Sequence, residues 1–270
     1  MGTTTVLVAI GIYLAAGAVA GILAGLLGIG GGLVIVPMLA FCFSLQGFDN
    51  THIMHLALGT SLASIIFTSL ASFITHHRMG AVHWNIVMRI VPGIFTGSLL
   101  GAYVASLMST NVLKGFFIAF LYYAAMQILL GRNPAASRKL PGGLGMFGAG
   151  NIIGSVSGLL GIGGGTLSIP FLMWCNIRVH HAVGTAAAIG FPIAVSGTLG
   201  YILTGMRVDN LPVFSIGFLF LPALFGIVTA SMLTAPFGAK LAHRLPVSKL
   251  KNIFALFLFV VGTRMLVSLL

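Results

Sequence analysis

Acidic side chains are almost absent from this sequence of 270 residues. It contains no glutamate, and its two aspartates are Asp49 and Asp209. Charged residues occupy 6% of the positions, whereas about a quarter of a soluble globular domain is charged. Thirteen basic and two acidic side chains are too few to cover a water-facing surface. The composition therefore indicates a protein that lies in lipid.

Other absences exclude further classes of protein. Without glutamate, a proton relay through buried carboxylates has no obvious residues. No Gly-Lys-Ser/Thr follows the glycine-rich segments, so a P-loop is excluded, and we predict no cofactor. The net charge of +11 does not indicate nucleic acid, because the basic residues are scattered through short loops. Cys42 and Cys175 lie inside apolar segments, where cysteine behaves as a small hydrophobe, so we expect no disulfide.

Long apolar runs make up most of the chain. Most of them have the roughly 20 residues that a helix needs to cross the hydrocarbon core, but the second and seventh are shorter. The runs are 6–27, 32–45, 53–75, 86–108, 112–130, 144–160, 166–175, 182–204, 211–233 and 250–270. We interpret the first run as a retained membrane segment rather than a signal peptide.

Two related halves flank a polar stretch at residues 131–143. The segment Gly25–Gly32 reads GLLGIGGG, and Gly158–Gly165 repeats it letter for letter, each followed five positions later by a proline, Pro37 or Pro170. Further matches occur in the same order: 55–60 (HLALGT) with 180–185 (HHAVGT), Arg78 with Arg207, Pro92 with Pro222, and 113–114 with 250–251. We predict an N-terminal repeat at 1–131, a linker at 132–143 and a C-terminal repeat at 144–270.

The distribution of basic residues predicts how the halves are oriented. If each half crosses the membrane in five segments, most Lys and Arg residues gather on one side, as cytoplasmic loops do. Four segments per half would divide them evenly. An odd number of segments requires the halves to insert in opposite directions. We therefore predict an all-α integral membrane protein of two inverted repeats, each with about five membrane segments and a Gly-tipped hairpin formed by its first two.

The paired GLLGIGGG segments, their prolines, the paired Gly-Thr motifs and the length resemble the sulfite exporter TauE/SafE family over essentially the whole chain. This resemblance implies a secondary transporter, by the family's name an exporter, of small sulfur-containing anions such as sulfite, sulfoacetate or related sulfonates. It implies a multi-pass protein of the cell inner membrane whose partners are an anionic substrate and the lipid bilayer, with a homodimer left open. It implies no enzymatic activity.

The glycine-rich segments are the predicted binding site. Four glycines in five positions should break a helix, since each costs about 1 kcal/mol relative to alanine. The half-helix after each break then offers unpaired N–H groups and the positive end of its dipole to an anion. The alternative is that these glycines serve tight helix packing. The predicted residues are Gly28, Gly30, Gly31, Gly32, Gly161, Gly163, Gly164 and Gly165.

Hydroxyl side chains extend the predicted site. Thr60, Ser61 and Thr185 open the helix that follows each half-helix, where their hydroxyls can donate to an anion without the cost of a buried charge. The alternative is hydrogen bonding to the preceding helical turn. Weaker candidates are Asn151, Ser155 and Ser157, and one asymmetry sets Ser61 and Ser64 against Ala186 and Ile189.

Histidines and arginines are the remaining candidates. His55 and His180 occupy matching places in the halves and could couple proton movement to transport. Arg264 lies within the last apolar run, where a cation is either functional or reaches the interface; Arg78 and Arg207 could attract anions. We predict no metal site, since carboxylates are so few. The rival functions are a metal or cation transporter that uses His52, His55, His180 and His181, and a membrane-embedded enzyme, for which no nucleophile motif is present.

Overall fold

The structure, a computed structural model, describes residues 3–27, 31–130, 138–242 and 247–269. These residues form ten α-helices and one short two-stranded ribbon. The helices are α1 (Thr3–Leu27), α2 (Gly32–Leu45), α3 (Ile53–Arg78), α4 (Trp84–Ser106), α5 (Thr110–Leu130), α6 (Gly143–Leu160), α7 (Gly165–Trp174), α8 (Val179–Gly205), α9 (Leu221–Ala242) and α10 (Val247–Val267). The predicted apolar runs correspond to these helices within a few residues, with one exception.

The exception is the predicted run 211–233. Only its second part is helical, because α9 begins at Leu221. Before it, strands β1 (Ser215–Ile216) and β2 (Leu219–Phe220) pair antiparallel. Phe214 has φ 69° and Gly217 has φ 55°, and this left-handed backbone cannot continue a right-handed helix. The expectation of helix throughout was therefore wrong here.

Helix length separates the helices into two groups. Within the described residues, five helices (α3, α4, α5, α6 and α8) are long and apolar enough to cross a membrane. By contrast α2 has 14 residues and α7 has 10, which confirms that the second and seventh segments are short. The chain is therefore a multi-pass membrane protein in which two short helices are packed among long ones.

The most extensive helix contacts join α1 to α9 and α4 to α6. On α1, Gly17 and Gly21 press against the backbone of Ile227 and Ser231, with no room for even one methyl group. Small residues of this kind let helix axes approach closely in membranes. Each of these pairings joins a helix of the first half to a helix of the second half, so neither half packs as an independent unit.

The contact between α4 and α6 repeats that between α9 and α1. Gly150 and Gly154 of α6 press against Ile90 and Ile94 of α4. These glycines lie at the same offset from Gly17 and Gly21 that relates Gly158 to Gly25. The packing therefore follows the sequence repeat, with the partner helices exchanged.

This register corrects one predicted match. Residues that contact equivalent glycines can be matched, so Ile90 corresponds to Ile227 and Ile94 to Ser231. These two matches align α4 with α9. In that alignment Pro222, the second residue of α9, matches Asn85, whereas Pro92 lies inside α4. In the first turn of a helix the backbone N–H groups have no intrahelical partner, so a proline there removes no hydrogen bond. A proline inside a helix removes one. The two prolines are therefore not equivalent.

The helices α3 and α8 pack against each other and are the most buried of the five long ones. The short helix α2 packs on α3, and α7 packs on α8. At another face of the protein α5 packs against α10. Gly32, at the start of α2, and Gly164, just before α7, are thereby brought against the central pair.

Candidate functional site

The glycine-rich segments interrupt the helices where the sequence predicts a break. Gly31, with φ 74° and ψ −16°, precedes α2, and Gly161, with φ 65° and ψ 30°, follows α6. Glycine adopts this left-handed backbone without the clash that a Cβ would cause. Two of the predicted binding residues, Gly28 and Gly30, lie outside the described residues.

After each break a short helix begins, and its first backbone amides have no intrahelical hydrogen-bond partner. The first helical bond of α7 runs from Ser168 N to Gly164 O at 2.8 Å, and Val34 N and Ile35 N both donate to Gly31 O at 3.0 Å. The amides before them are those that a helix start leaves without an intrahelical partner. Since Gly163, Gly164 and Gly165 are buried, their amides at the start of α7 are held away from bulk water. Such a group of donors suits an anion.

The two turns contact each other. A Cβ added to Gly32 would lie 2.9 Å from Gly161 O and 3.0 Å from Ile162 Cα. Ser61 Oγ donates to Gly161 O at 2.9 Å, and Ser61 is fully buried. The hydroxyl proton of Ser61 is therefore committed to the second turn, so this predicted binding residue fixes that turn's position in the structure.

Thr60 and Thr185 make matching contacts. Phe220 N donates to Thr60 Oγ1 at 3.0 Å, and His83 N donates to Thr185 Oγ1 at 3.0 Å. Phe220 immediately precedes α9 and His83 immediately precedes α4. Each threonine thus holds the start of a helix from the other half. Because its oxygen accepts, the hydroxyl proton is still available to a ligand.

The predicted histidine pair is not equivalent in the structure. His55 is buried, with its Nε2 3.0 Å from Ala105 O and its ring stacked 4.9 Å from the ring of Phe218. Since a carbonyl only accepts, Nε2 carries the proton, and the buried Nδ1 has no partner. His180, at the matching position, is exposed. Only His55 therefore has the surroundings of an internal titratable group.

Other histidines lie near the end of α3 and the starts of α4 and α8. The rings of His83 and His181 are 4.5 Å apart, and Trp84 Nε1 donates to His77 Nδ1 at 3.1 Å. Among the residues that the structure describes, no three His, Cys, Asp or Glu side chains converge as a metal site needs. Cys42 and Cys175 are both buried free thiols.

The three predicted arginines lie away from the turns. Arg78, at the end of α3, and Arg207, just after α8, are exposed. Arg264 of α10 places its guanidinium 4.8 Å from the ring centroid of Phe41 on α2. Phe41 follows Gly32 by nine residues, so this cation lies about 14 Å along α2 from its start.

Sequence reasoning missed two hydroxyls and undervalued a third. Ser157 and Ser168 are fully buried, and neither hydroxyl has a partner; the buried Oγ1 of Thr166 has none either. All three flank the second glycine turn. The available signal was that Thr166 and Ser168 follow Gly165 by one and three residues, where the first half has Leu33 and Ile35.

A separate groove of about 250 Å³ lies between α4, α5 and α6. Its lining includes Leu100, Phe116 and Leu159 and is almost entirely apolar. Such a surface offers nothing to compensate a desolvated charge, so it does not suit an anion.

Long apolar helices around two buried helix starts, with unpartnered hydroxyls beside one of them, define a multi-pass membrane transporter. The chain belongs to the sulfite exporter TauE/SafE family, whose model matches residues 13–265. It is 37% identical over 250 residues to a probable membrane transporter protein of Haemophilus influenzae, covering 92% of this chain and 95% of that protein.

More distant relatives carry the same description. The probable membrane transporter protein MJ0441 of Methanocaldococcus jannaschii is 26% identical over 255 residues, which cover 93% of this chain and 92% of that protein. The probable membrane transporter protein YdhB of Bacillus subtilis is 28% identical over 241 residues, covering 86% and 90%. No solved structure matches the chain.

Proposed function

We propose that this protein is a secondary transporter that exports small sulfur-containing oxyanions, such as sulfite, sulfoacetate or related sulfonates, across the cell inner membrane. The observation that carries the proposal is the second glycine turn, where unshared amides at the start of α7 adjoin the buried, unpartnered hydroxyls of Ser157 and Ser168. Membership of the TauE/SafE family supports the choice of sulfur-containing anions.

The donors at this turn suit an oxyanion. A sulfite or sulfonate group presents three oxygens that accept hydrogen bonds, and backbone amides and hydroxyls bind it without the desolvation of an opposing charge. A glycine backbone lets the ligand approach its amides closely. With only two acidic residues in 270, the protein has little that repels an anion on its way to the site.

Alternating access is proposed to arise from two inverted repeats of five segments, with their glycine turns near the membrane midplane. Two observations support this arrangement. Thr60 and Thr185 bond to the starts of α9 and α4 in the same manner. The loops after α3, α5, α7 and α9, together with the helix ends that flank them, contain most of the basic residues. In this topology Arg78 and Arg207 lie on opposite sides of the membrane, one near each mouth.

Flux in liposomes tests the proposal. The purified protein should carry sulfite or sulfoacetate across the bilayer, and these anions should raise its Tm, because a ligand that binds only the folded state stabilises it. Protein-free liposomes and an excess of chloride are the controls. The rival cation transporter predicts instead that Zn²⁺ or another divalent metal is carried, with the strongest dependence on His52, His55, His180 and His181. Metal flux without anion flux would replace the proposal by that rival.

A further inference from the structure

The two glycine-rich segments have the same sequence but different surroundings. Position by position, α7 matches α2, and the hydroxyls of Thr166 and Ser168 stand where the first half has Leu33 and Ile35. Leu33 and Ile35 are buried core residues. The start of α2 is therefore lined by hydrocarbon, and the start of α7 by hydroxyl groups.

A second difference concerns the long helix behind each turn. In the first half Ile65 of α3 covers the start of α2, since its Cδ1 lies 3.0 Å from a Cβ added to Gly32. The matching residue in α8 is Gly190. A Cβ added there would lie 3.6 Å from Gly164 N and 3.7 Å from Ser69 Cβ, both ordinary contacts. At Gly190 there is thus room for a methyl group beside the Gly164 amide, and Ile193 bounds one side of the same space.

The unpartnered hydroxyl of Ser168 points toward this turn. Side chains of an α-helix lean toward its N-terminus, and Ser168 is the fourth residue of α7. Its Oγ is buried without a partner, and Ser168 is 0% exposed. A buried hydroxyl without a protein partner is unfavourable, and the proton of Ser168 Oγ is therefore available to a ligand at this turn.

The serines of the first half do not offer the same donors. Ser61 Oγ donates to Gly161 O at 2.9 Å, and Ser64 Oγ donates to Thr60 O at 2.9 Å. Ala186 and Ile189 stand at the matching positions of α8. The hydroxyl protons of Ser61 and Ser64 are therefore used within the protein, whereas those of Thr166 and Ser168 beside the second turn have no partner.

We propose that the substrate anion binds at the second turn alone, an assignment that rests on the proposed function. Its site consists of the first amides of α7, the hydroxyls of Thr166 and Ser168, and the space that Gly190 leaves beside the Gly164 amide. The first turn packs against this site at Gly32 but holds no anion. The duplicated motif thus provides one oxyanion site per chain, and the first half closes it with apolar side chains.

Gly190→Ala is the sharpest variant. The added methyl group fits without a clash, and alanine favours the helix by about 1 kcal/mol over glycine, so the Tm should stay the same or rise. The methyl group would lie against the Gly164 amide, and we expect sulfite flux to fall by about tenfold or more, as the loss of one bond to a charged ligand implies. Gly115→Ala, in α5 with nothing within 4 Å of its added Cβ, is the matched control and should transport normally.

Ser168→Ala tests the hydroxyl. Removing an unpartnered buried hydroxyl should leave the Tm without substrate unchanged or higher, while the KM for sulfite rises by about tenfold. Ser231→Ala is the control, because Ser231 is also buried but donates to Val228 O within its own helix. A purely structural serine would show the opposite pattern, with a lower Tm and an unchanged KM.

Calorimetric titration of wild-type protein with sulfite should give one bound anion per chain. Two equivalents, or Gly190→Ala and Ser168→Ala proteins with wild-type KM and flux, would overturn the single-site assignment while the transport function stands. Wild-type protein that neither binds nor carries sulfite or sulfoacetate would end the proposed function, and the site assignment with it.

Discussion

The two halves of this transporter share a sequence repeat and differ in how they use their side chains. Both place a glycine turn before a short helix, and both use a threonine to hold a helix of the other half. In the first half Leu33, Ile35 and Ile65 fill the space around the turn, whereas Thr166, Ser168 and Gly190 stand in their places in the second. The repeated sequence motif is thus accompanied by apolar side chains in the first half and by hydroxyl groups in the second.

Under the proposed function, this contrast explains how a membrane protein with so few charges would hold an anion. Apolar residues around the first turn stabilise the fold, because burying each side chain contributes about 1.5–3 kcal/mol. Unpartnered hydroxyls at the second turn cost stability until a ligand completes their bonds. The apolar side chains of the first half therefore offset the stability that the unpartnered hydroxyls of the second half cost.

The largest effect is expected from leucine at the two turns. Gly31→Leu forces a side chain into a backbone with φ 74°, which costs about 1–2 kcal/mol before any clash is counted. Gly164 has φ −64°, so leucine there has no backbone strain, but its Cβ would lie 3.0 Å from Ile193 Cδ1 and 3.2 Å from Gly190 N. Both variants should lose sulfite flux, and Gly31→Leu should lose more thermal stability.

Gly115→Leu, in a position with open space around its Cβ, is the control for the added bulk. The comparison between the turns fails if Gly164→Leu carries sulfite at the wild-type rate while it remains folded. It also fails if Gly164→Leu is the less stable of the two proteins.

The next effect separates the matched histidines. His55→Ala removes a buried ring that stacks on Phe218 and bonds to Ala105 O, and we expect a loss of about 3 kcal/mol in unfolding free energy. His180 is exposed, so His180→Ala should stay within about 0.5 kcal/mol. If proton movement is coupled through the chain, His55→Gln should flatten the pH dependence of flux. Equal responses of the two positions, in stability or in pH profile, would contradict this distinction.

Local sequence predicts some of these features and not others. The breaks near Gly31 and Gly161 were predictable, because helix propensity and left-handed backbone depend on the residue itself. The ribbon at 215–220 was not, since it depends on Gly217 and on a bond from Phe218 N to the distant Tyr201 O. The difference between His55 and His180 was hidden for the same reason, because Ala105 and Phe218 are distant in sequence.

The site shows the same division. The sequence motif predicted that the glycine turns, the two threonines and Ser61 bind substrate, and in the structure Ser61 donates to Gly161 O. Whether a hydroxyl is free depends on which carbonyl the fold brings near it. Ser168 could have been noticed only by aligning α7 with α2 and asking why serine replaces Ile35.

A smaller effect concerns the two threonine tethers. Thr60→Val and Thr185→Val remove the acceptor for Phe220 N and His83 N, and an unsatisfied buried donor costs about 1–3 kcal/mol. The loss should be larger at Thr60, whose bond is fully buried, than at Thr185, whose bond is partly buried. Serine keeps the oxygen, so Thr60→Ser and Thr185→Ser should recover most of the Tm. Valine variants as stable as the wild type would show that neither tether holds its helix.

The smallest effect is expected at Arg264 of α10. In the register that aligns Leu113 with Leu250, Arg264 of α10 matches Gln127 of α5, so Arg264→Gln makes the two halves alike. Losing the contact with Phe41 should cost about 0.5–1 kcal/mol in unfolding free energy. Because the guanidinium lies about 14 Å along α2 from the first turn, and the anion is assigned to the second, the KM for sulfite should not change. A raised KM in a protein of normal Tm would place this cation on the substrate's path. It would also contradict the contrast between a first turn that only packs and a second turn that binds the anion.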